Sequence, residues 1–204
     1  MKKKRIYLIL ISLIILNTIL LHKHQKISQL AGKLGEKYTK LSVKEERLSE
    51  KLIRNMKLQH EMENKSLPEI SIGNTQQGDS LRFTDIFKGN NATICFRFKE
   101  SHCDACVQNG MMLLNQVCKQ SGQRIVVLCS FVNSHQFLAF SKSQNKLMSL
   151  YNIDHLPWVA DKIEEPYFFI VTEGKKIHNF FVPIKEKEEL THTYIHALLH
   201  KYGM

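Results

Sequence analysis

The stretch ICFRFKESHCDACVQN, residues 94–109, joins an apolar run to a polar segment that holds two cysteines two residues apart. The apolar run is rich in residues that favour β-structure, which predicts a buried strand. The residues after the second cysteine space their apolar side chains like a helix that ends at Gly122. The cysteine pair is therefore expected where a strand gives way to a helix.

Cys103 and Cys106 fit three kinds of site: a redox dithiol, half of a metal site, or two core cysteines. A thiol at the start of a helix faces unpaired N–H groups and the positive end of the helix dipole, and both favour the thiolate. Cys103 would then be the exposed attacking thiol, and Cys106, one turn further on, the resolving thiol. The charge of Asp104 opposes this ionisation, and Arg97 would counter it if its side chain points toward the site.

The two other readings of the pair have less support. A closed zinc site needs a second pair of ligands at matching spacing, and the sequence has no other C-x-x-C and no paired histidine motif. His102 and His155 are the available extra ligands. The core reading is disfavoured because Glu100, Ser101 and His102 make the segment polar.

The remaining cysteines are expected to be packing residues. Cys95 and Cys129 each lie within an apolar strand, where a free buried cysteine is common. Cys118 lies on the helix that follows the cysteine pair. Because five cysteines is an odd number, a fully paired disulfide scaffold is excluded.

Outward from this stretch, the sequence predicts the order strand, helix, strand, helix, strand, strand, helix. A helix is expected from an N-cap at Ser134, two strands flank the turn at 172–176, and residues 185–203 form an amphipathic helix. Upstream, residues 67–87 have two short alternating runs around a turn-rich middle, which predicts a hairpin. The fold class is α/β, with a mixed central sheet flanked by helices.

The first 65 residues have a different character. Four basic residues precede the apolar run Ile6–Leu21, and no small residues that would mark a cleavage site follow it. We expect an uncleaved transmembrane anchor over residues 1–21, with the basic end cytoplasmic and the rest outside. Residues 22–65 are charged, with apolar residues at helical spacing, which predicts a helical stalk before a domain over residues 66–204.

The net charge of +10 does not indicate a nucleic-acid partner. Residues 1–65 carry 15 Lys and Arg against 6 Asp and Glu, whereas residues 66–204 carry 14 against 13. The basic excess thus lies in the predicted anchor and stalk, where lipid head groups are the simpler partner. We expect no nucleic acid to bind residues 66–204.

The stretch ICFRFKESHCDACVQN, followed much later by EEPYFFIVTEGKKI at 164–177, resembles the thioredoxin fold. The resemblance is closer to membrane-anchored, TlpA- and ResA-like thiol–disulfide proteins of bacterial envelopes, and it covers about residues 66–200. It implies a redox-active Cys103 and Cys106 with no cofactor and no metal. It also implies that Pro166, preceded by Glu165, is a cis-proline in a loop against the cysteines.

The chain departs from the family pattern at several positions. His102 stands where the family has tryptophan, and Arg97 stands where thioredoxins carry a buried acid. These departures leave the substrate and the reduction potential open. Glu100 occupies the position where related peroxidases carry threonine or serine, which disfavours peroxide chemistry.

The function expected from sequence is a membrane-anchored envelope thiol–disulfide oxidoreductase, favoured as a reductant. Its partners would be a disulfide-containing envelope protein and an upstream electron-donor protein. Two alternatives stay open at this point: a thioredoxin-like carrier of Cu(I), whose soft character suits thiolates, and a binding module whose redox pair is inactive. Glu164 and Glu165 are candidate proton acceptors near Cys106, Trp158 is expected in the core and His155 on the surface.

Overall fold

The computed structural model of the chain describes residues 2–72, 81–88 and 92–203. It divides into two compact units, Met1–Leu52 and Ile53–Met204. The helices are α1 (Lys2–Met62), α2 (Asp104–Ser121), α3 (Ser134–Lys142) and α4 (Glu188–Tyr202). The strands are β1 (Ser71–Ile72), β2 (Leu81–Arg82), β3 (Ala92–Lys99), β4 (Ile125–Ser130), β5 (Met148–Asn152), β6 (Tyr167–Thr172) and β7 (Ile177–Phe181).

The first unit consists of α1 residues up to Leu52. The stalk over residues 22–65 stays a prediction. Among the residues that the structure describes, no helix combines the length and apolar content needed to cross a membrane. The side chains of residues 2–10 and 12, which belong to the predicted anchor, lie outside the described ones. The anchor therefore stays a prediction.

The second unit is built on a five-stranded sheet in the order β5-β4-β3-β6-β7. β3, β4 and β5 are parallel, whereas β6 runs antiparallel to β3 and to β7. The predicted parallel crossover and antiparallel hairpin are both confirmed. β7 runs in the same direction as β3, so the carboxyl ends of both strands lie at one edge of the sheet.

Two layers of side chains cover the sheet. Ile94, Phe96 and Phe98 of β3 pack with α2, α3 and α4 on one face. Cys95, the next residue along, packs on the other face with the last turns of α1 and with Trp158. Because successive side chains of a strand point to opposite faces, Arg97 belongs to this second face.

The element predictions were right in kind and differ in two places. β5 was not predicted; its side chains are mostly half-buried, and the sequence MSLYN lacks the long apolar run of the central strands. The N-cap of α3 is Asn133 rather than Ser134, because the Asn133 side chain accepts a hydrogen bond from His135 N–H at 2.8 Å. The upstream hairpin is present as the antiparallel pair of β1 and β2, and its predicted middle, residues 73–80, lies outside the described residues.

Candidate active site

Cys103 is the N-cap of α2 and is exposed, while Cys106 lies one turn inside the helix with 9% of its surface exposed. This is the arrangement that the sequence predicts, with an accessible first thiol and a shielded second one. Asp104 is the first residue of the helix and is also exposed. The geometry suits a reaction in which the outer sulfur meets a partner and the inner sulfur closes on it afterwards.

The start of α2 favours the ionised form of Cys103. The backbone N–H of Cys106 and then the Cys106 thiol donate hydrogen bonds to the Cys103 sulfur and lower its pKa. The positive charge of Lys185 and the N–H of Ala105 lower the pKa further, and burial, which acts in the opposite direction, is outweighed. Cys103 therefore has more thiolate at neutral pH than an ordinary cysteine, which makes it the better nucleophile of the chain.

Sequence reasoning missed Lys185. It lies in the loop after β7, far from the cysteines along the chain. The signal that would have found it is the topology, since β7 and β3 end at the same edge of the sheet. A residue just beyond β7 is then placed beside Cys103.

A close contact between α2 and β3 fixes the position of the helix start. Gly110 faces the ring of Phe96, and a Cβ at Gly110 would lie 2.6 Å from the Phe96 Cζ. At the other end, Gly122 has φ 67° and its N–H closes on the carbonyl of Cys118, which ends the helix as predicted. The absence of a side chain at Gly110 allows α2 to lie on the sheet.

Arg97 forms a buried ion pair on the second face of the sheet rather than pointing toward the cysteine pair, where it would have offset the charge of Asp104. Its Nε donates to Asp161 Oδ1 at 2.8 Å and its Nη2 to Oδ2 at 3.2 Å. The same guanidinium donates to the carbonyls of Ile153 at 2.7 Å and of Asp154 at 3.0 Å. The charge of Arg97 is thereby compensated on the second face of the sheet.

Asp161 is the centre of this network, and the sequence analysis did not single it out. Besides Arg97, Tyr167 O–H donates to Oδ1 at 3.0 Å and Leu156 N–H donates to Oδ2 at 2.8 Å. Burial raises the pKa of Asp161, but Arg97, Leu156 N–H and Lys99 outweigh burial, so that its pKa lies below the usual value. Asp161 therefore stays ionised at neutral pH.

His102 is buried, although the sequence analysis treated it as an available ligand. Its Nδ1 accepts the Lys99 N–H at 3.2 Å, so the neutral ring carries its proton on Nε2, which has no hydrogen-bond partner within the described residues. Burial first, and then the charges of Lys99 and Arg97, lower the pKa of His102 to about 4, against the opposing effect of Asp161. The ring next to Cys103 is thus neutral at physiological pH.

The loop around Pro166 differs from the expectation. No cis peptide bond occurs in the described part of the chain, so the bond from Glu165 to Pro166 is trans and the cis-proline prediction is wrong for this structure. Trans is the more stable form of an X–Pro bond, so no special contact is needed to hold it. Glu165 Oε1 accepts a hydrogen bond from Arg54 at 2.6 Å, its Oε2 is buried without a described partner, and Glu164 is exposed.

The structure places the other predicted residues as expected. Trp158 is buried and its ring lies 5.6 Å from that of Phe169, whereas His155 is exposed. Across residues 2–72, 81–88 and 92–203, no cluster of three or more His, Cys, Asp or Glu side chains is arranged to hold a metal ion.

The remaining three cysteines lie in environments that suppress the thiolate. Burial raises the pKa of Cys129 to about 12, that of Cys95 well above its usual value, and that of Cys118 as well. All three are buried, as predicted. Among the cysteines, Cys103 is the accessible one and has the lowered pKa.

The chain matches no known protein family and no curated protein. Solved structures do resemble it. A protein from Chlorobium tepidum described as the thiol:disulfide interchange protein DsbE aligns over 67% of this chain and 97% of its own, with a TM-score of 0.50 and 15% identity. The fold is thioredoxin-like. At this identity the similarity establishes the thioredoxin-like fold and leaves the chemistry to the residues of the site.

Two further thioredoxin-like structures align with lower scores. A thio-disulfide isomerase from Thermus thermophilus covers 66% of this chain and 96% of its own, with 16% identity and a TM-score of 0.45. A thiol-disulfide oxidoreductase from Bacteroides vulgatus covers 66% and 97%, with 14% identity and the same score. The argument for the fold rests on the Chlorobium protein.

Proposed function

We propose that the protein is a thiol–disulfide oxidoreductase in which Cys103 is the attacking thiol and Cys106 the resolving thiol. The observation that carries this proposal is the environment of Cys103. It is an exposed sulfur at the start of α2, with a pKa lowered chiefly by the N–H and thiol of Cys106.

The reaction proceeds through one mixed disulfide. The Cys103 thiolate attacks a sulfur of the substrate disulfide, the substrate S–S bond breaks, and the leaving sulfur departs with the electron pair. Cys106 then attacks the Cys103 sulfur and releases the second substrate thiolate, which takes up a proton. The substrate disulfide gains two electrons and the protein dithiol loses them, so an electron-donor protein must reduce Cys103 and Cys106 again.

We infer that the protein works in the reducing direction on disulfide-containing envelope proteins. The reduction potential of the 103–106 pair tests the direction. A value near −270 mV, like that of thioredoxin, means a reductant, whereas one near −120 mV, like that of DsbA, means an oxidant. A value near the second would overturn the proposed direction and leave the chemistry intact.

We further propose that Ile6–Leu21 anchors the protein in the inner membrane, with the second unit outside the cytoplasm. The support is the apolar run behind four basic residues at the N-terminus and the absence of a cleavage signal after the run. Disulfides form and persist in oxidising compartments outside the cytoplasm, so thiol–disulfide chemistry also fits this location.

Trapping of partners tests the chemistry. Cys106→Ser removes the resolving thiol. In cells, this variant should accumulate covalent mixed disulfides with partner proteins, and dithiothreitol should cleave them. Cys103→Ser should trap nothing, and Cys118→Ala, which changes a buried cysteine on the same helix, should behave like the wild type. If neither active-site variant traps a partner and Cu(I) protects both thiols from alkylation, the carrier alternative replaces the oxidoreductase.

A further inference from the structure

A cavity of about 160 Å³ lies between α2 and the segment that follows β7. One wall contains Cys106 and Asn109 of α2, and the opposite wall contains Lys185 of the loop with Glu188 and His192 of α4. A water molecule occupies about 30 Å³ of liquid, so the cavity has room for several. The inner thiol of the cysteine pair thus lines the same space as a carboxylate, with room for water between them.

The proposed function requires a proton acceptor for Cys106, because the thiolate is the species that attacks the mixed disulfide. Asp161 is a poor candidate, since both of its oxygens already accept hydrogen bonds from Arg97, Leu156 N–H or Tyr167 O–H. Glu165 is paired with Arg54 and does not line the cavity.

Glu188 is hydrogen-bonded to the helix that carries Cys106. Asn109 lies three residues after Cys106, so the two side chains project from the same face of α2. The Asn109 Nδ2 donates to Glu188 Oε1 at 2.7 Å. This bond links the exposed carboxylate to the helix turn that follows Cys106 and leaves its other oxygen able to accept a proton.

We propose that Glu188 is the proton acceptor for Cys106 during resolution of the mixed disulfide, acting through water in this cavity, and that Asn109 positions it. The Cys106 thiol gives its proton through water to the carboxylate of Glu188. The Cys106 sulfur bonds to the Cys103 sulfur, the bond from Cys103 to the substrate breaks, and the substrate thiolate leaves. Glu188 then returns the proton to the thiolate or to solvent. This inference rests on the proposed function.

Other charged groups also face this space or the dithiol. Lys185 and His192 line the same cavity, and Cys103 and Asp104 lie at the start of α2. The positive charge of Lys185 favours the Cys103 thiolate that attacks the substrate. An ammonium group has no acceptor, so Lys185 as a cation does not compete with Glu188 for the proton.

The experiment follows the two steps separately. Reduced full-length protein is mixed with a slight excess of Ellman's reagent in a stopped-flow instrument. Attack by Cys103 releases one coloured thiolate, and resolution by Cys106 releases the second. In Glu188→Gln, the side-chain amide oxygen can still accept the hydrogen bond from Asn109, but the carboxylate that would take the proton is removed. Because general base catalysis contributes roughly 10²–10⁴-fold, we expect the second phase to slow about 100-fold at pH 7 while the first is unchanged.

The pH profile separates a proton-transfer role from a structural one. Near pH 10 hydroxide removes thiol protons without help, so the Glu188→Gln and wild-type second phases should converge. A merely structural role would leave the variant slow at every pH. Asn109→Ala should show an intermediate slowing that also disappears at high pH.

Glu189→Gln is the matched control, since Glu189 lies next to Glu188 on α4 and does not line the cavity. It should leave both phases unchanged. A wild-type second phase in Glu188→Gln would overturn the inference, as would a slowed second phase in His192→Gln or Glu165→Gln in its place. A wild-type protein that forms no bond between Cys103 and Cys106 would instead overturn the proposed function, which separates the two failures.

Discussion

Replacement of Arg97 by methionine should be the most destabilising single change in the second unit. The guanidinium is fully buried and makes two of the hydrogen bonds that Asp161 accepts. After the change, Asp161 would keep only the Tyr167 O–H, the Leu156 N–H and the partly exposed Lys99 as partners. A buried carboxylate would then have lost its main counter-charge.

Breaking a buried ion pair by removing one partner costs about 3–5 kcal/mol. Domains are typically stable by about 5–15 kcal/mol, so this loss is a large share of the total. With a urea dependence of about 2 kcal/mol per M, the unfolding midpoint should fall by roughly 2 M. Trp158, the single tryptophan, is buried between Phe83 and Phe169 and provides a fluorescence signal for the second unit.

A double variant decides whether the cost comes from the unpaired charge. Arg97→Met with Asp161→Asn removes both charges and keeps a side-chain acceptor for Tyr167. Replacing a buried pair by neutral groups is often close to neutral, so the double variant should be more stable than Arg97→Met alone. If Arg97→Met unfolds at the wild-type urea concentration, or if the double variant is no more stable than the single one, the proposed energetics of this network are wrong.

Four further outcomes are expected. Alkylation of the reduced protein near neutral pH should label Cys103 before Cys106, as mass spectrometry of the peptides would show; the reverse order would exchange their roles. The free energy of unfolding should fall by about 3 kcal/mol between pH 6.5 and pH 4, because the folded-state pKa of His102 is lowered to about 4 and the unfolded chain therefore binds the proton first. Urea titrations at several pH values measure this loss, and His102→Gln should remove most of it. Gly110→Ala should cost about 1–3 kcal/mol through overpacking against a phenylalanine ring, measured in the same way. If Ile6–Leu21 is an anchor, full-length protein should leave the membrane fraction with detergent and not with salt.

The strands and helices that could be predicted are those with strong local signals. β3 and β4 are mostly apolar runs of residues that favour strands, and α2 has both a helical spacing and a glycine at its end, so sequence pattern was sufficient for them. β5 is a half-buried strand whose partner, β4, provides the hydrogen bonds that define it. The sequence MSLYN does not show that these residues pair with a neighbouring strand, so β5 could be identified only from the assembled sheet.

Within the site, the cysteine pair was predictable because its chemistry is local to one helix turn. The role of Arg97 was not, since its partner Asp161 lies 64 residues later in a segment with no distinctive pattern. His102 shows the same limit. Its position beside Cys103 suggested an available ligand, but burial and two neighbouring cations give it a pKa of about 4.

The replacement of a buried acid by Arg97 has a consequence for how protons move in this molecule. An arginine cannot take a proton, and the aspartate that compensates it has its pKa lowered and its oxygens occupied. Arg97 and Asp161 therefore provide charge balance and stability but no acceptor for Cys106. The acceptor proposed above lies on the side of the sheet that carries α2 and α4, where Asn109 donates a hydrogen bond to Glu188. The same substitution that distinguishes this chain from the thioredoxins it resembles thus moves the expected proton path from the strand to α4.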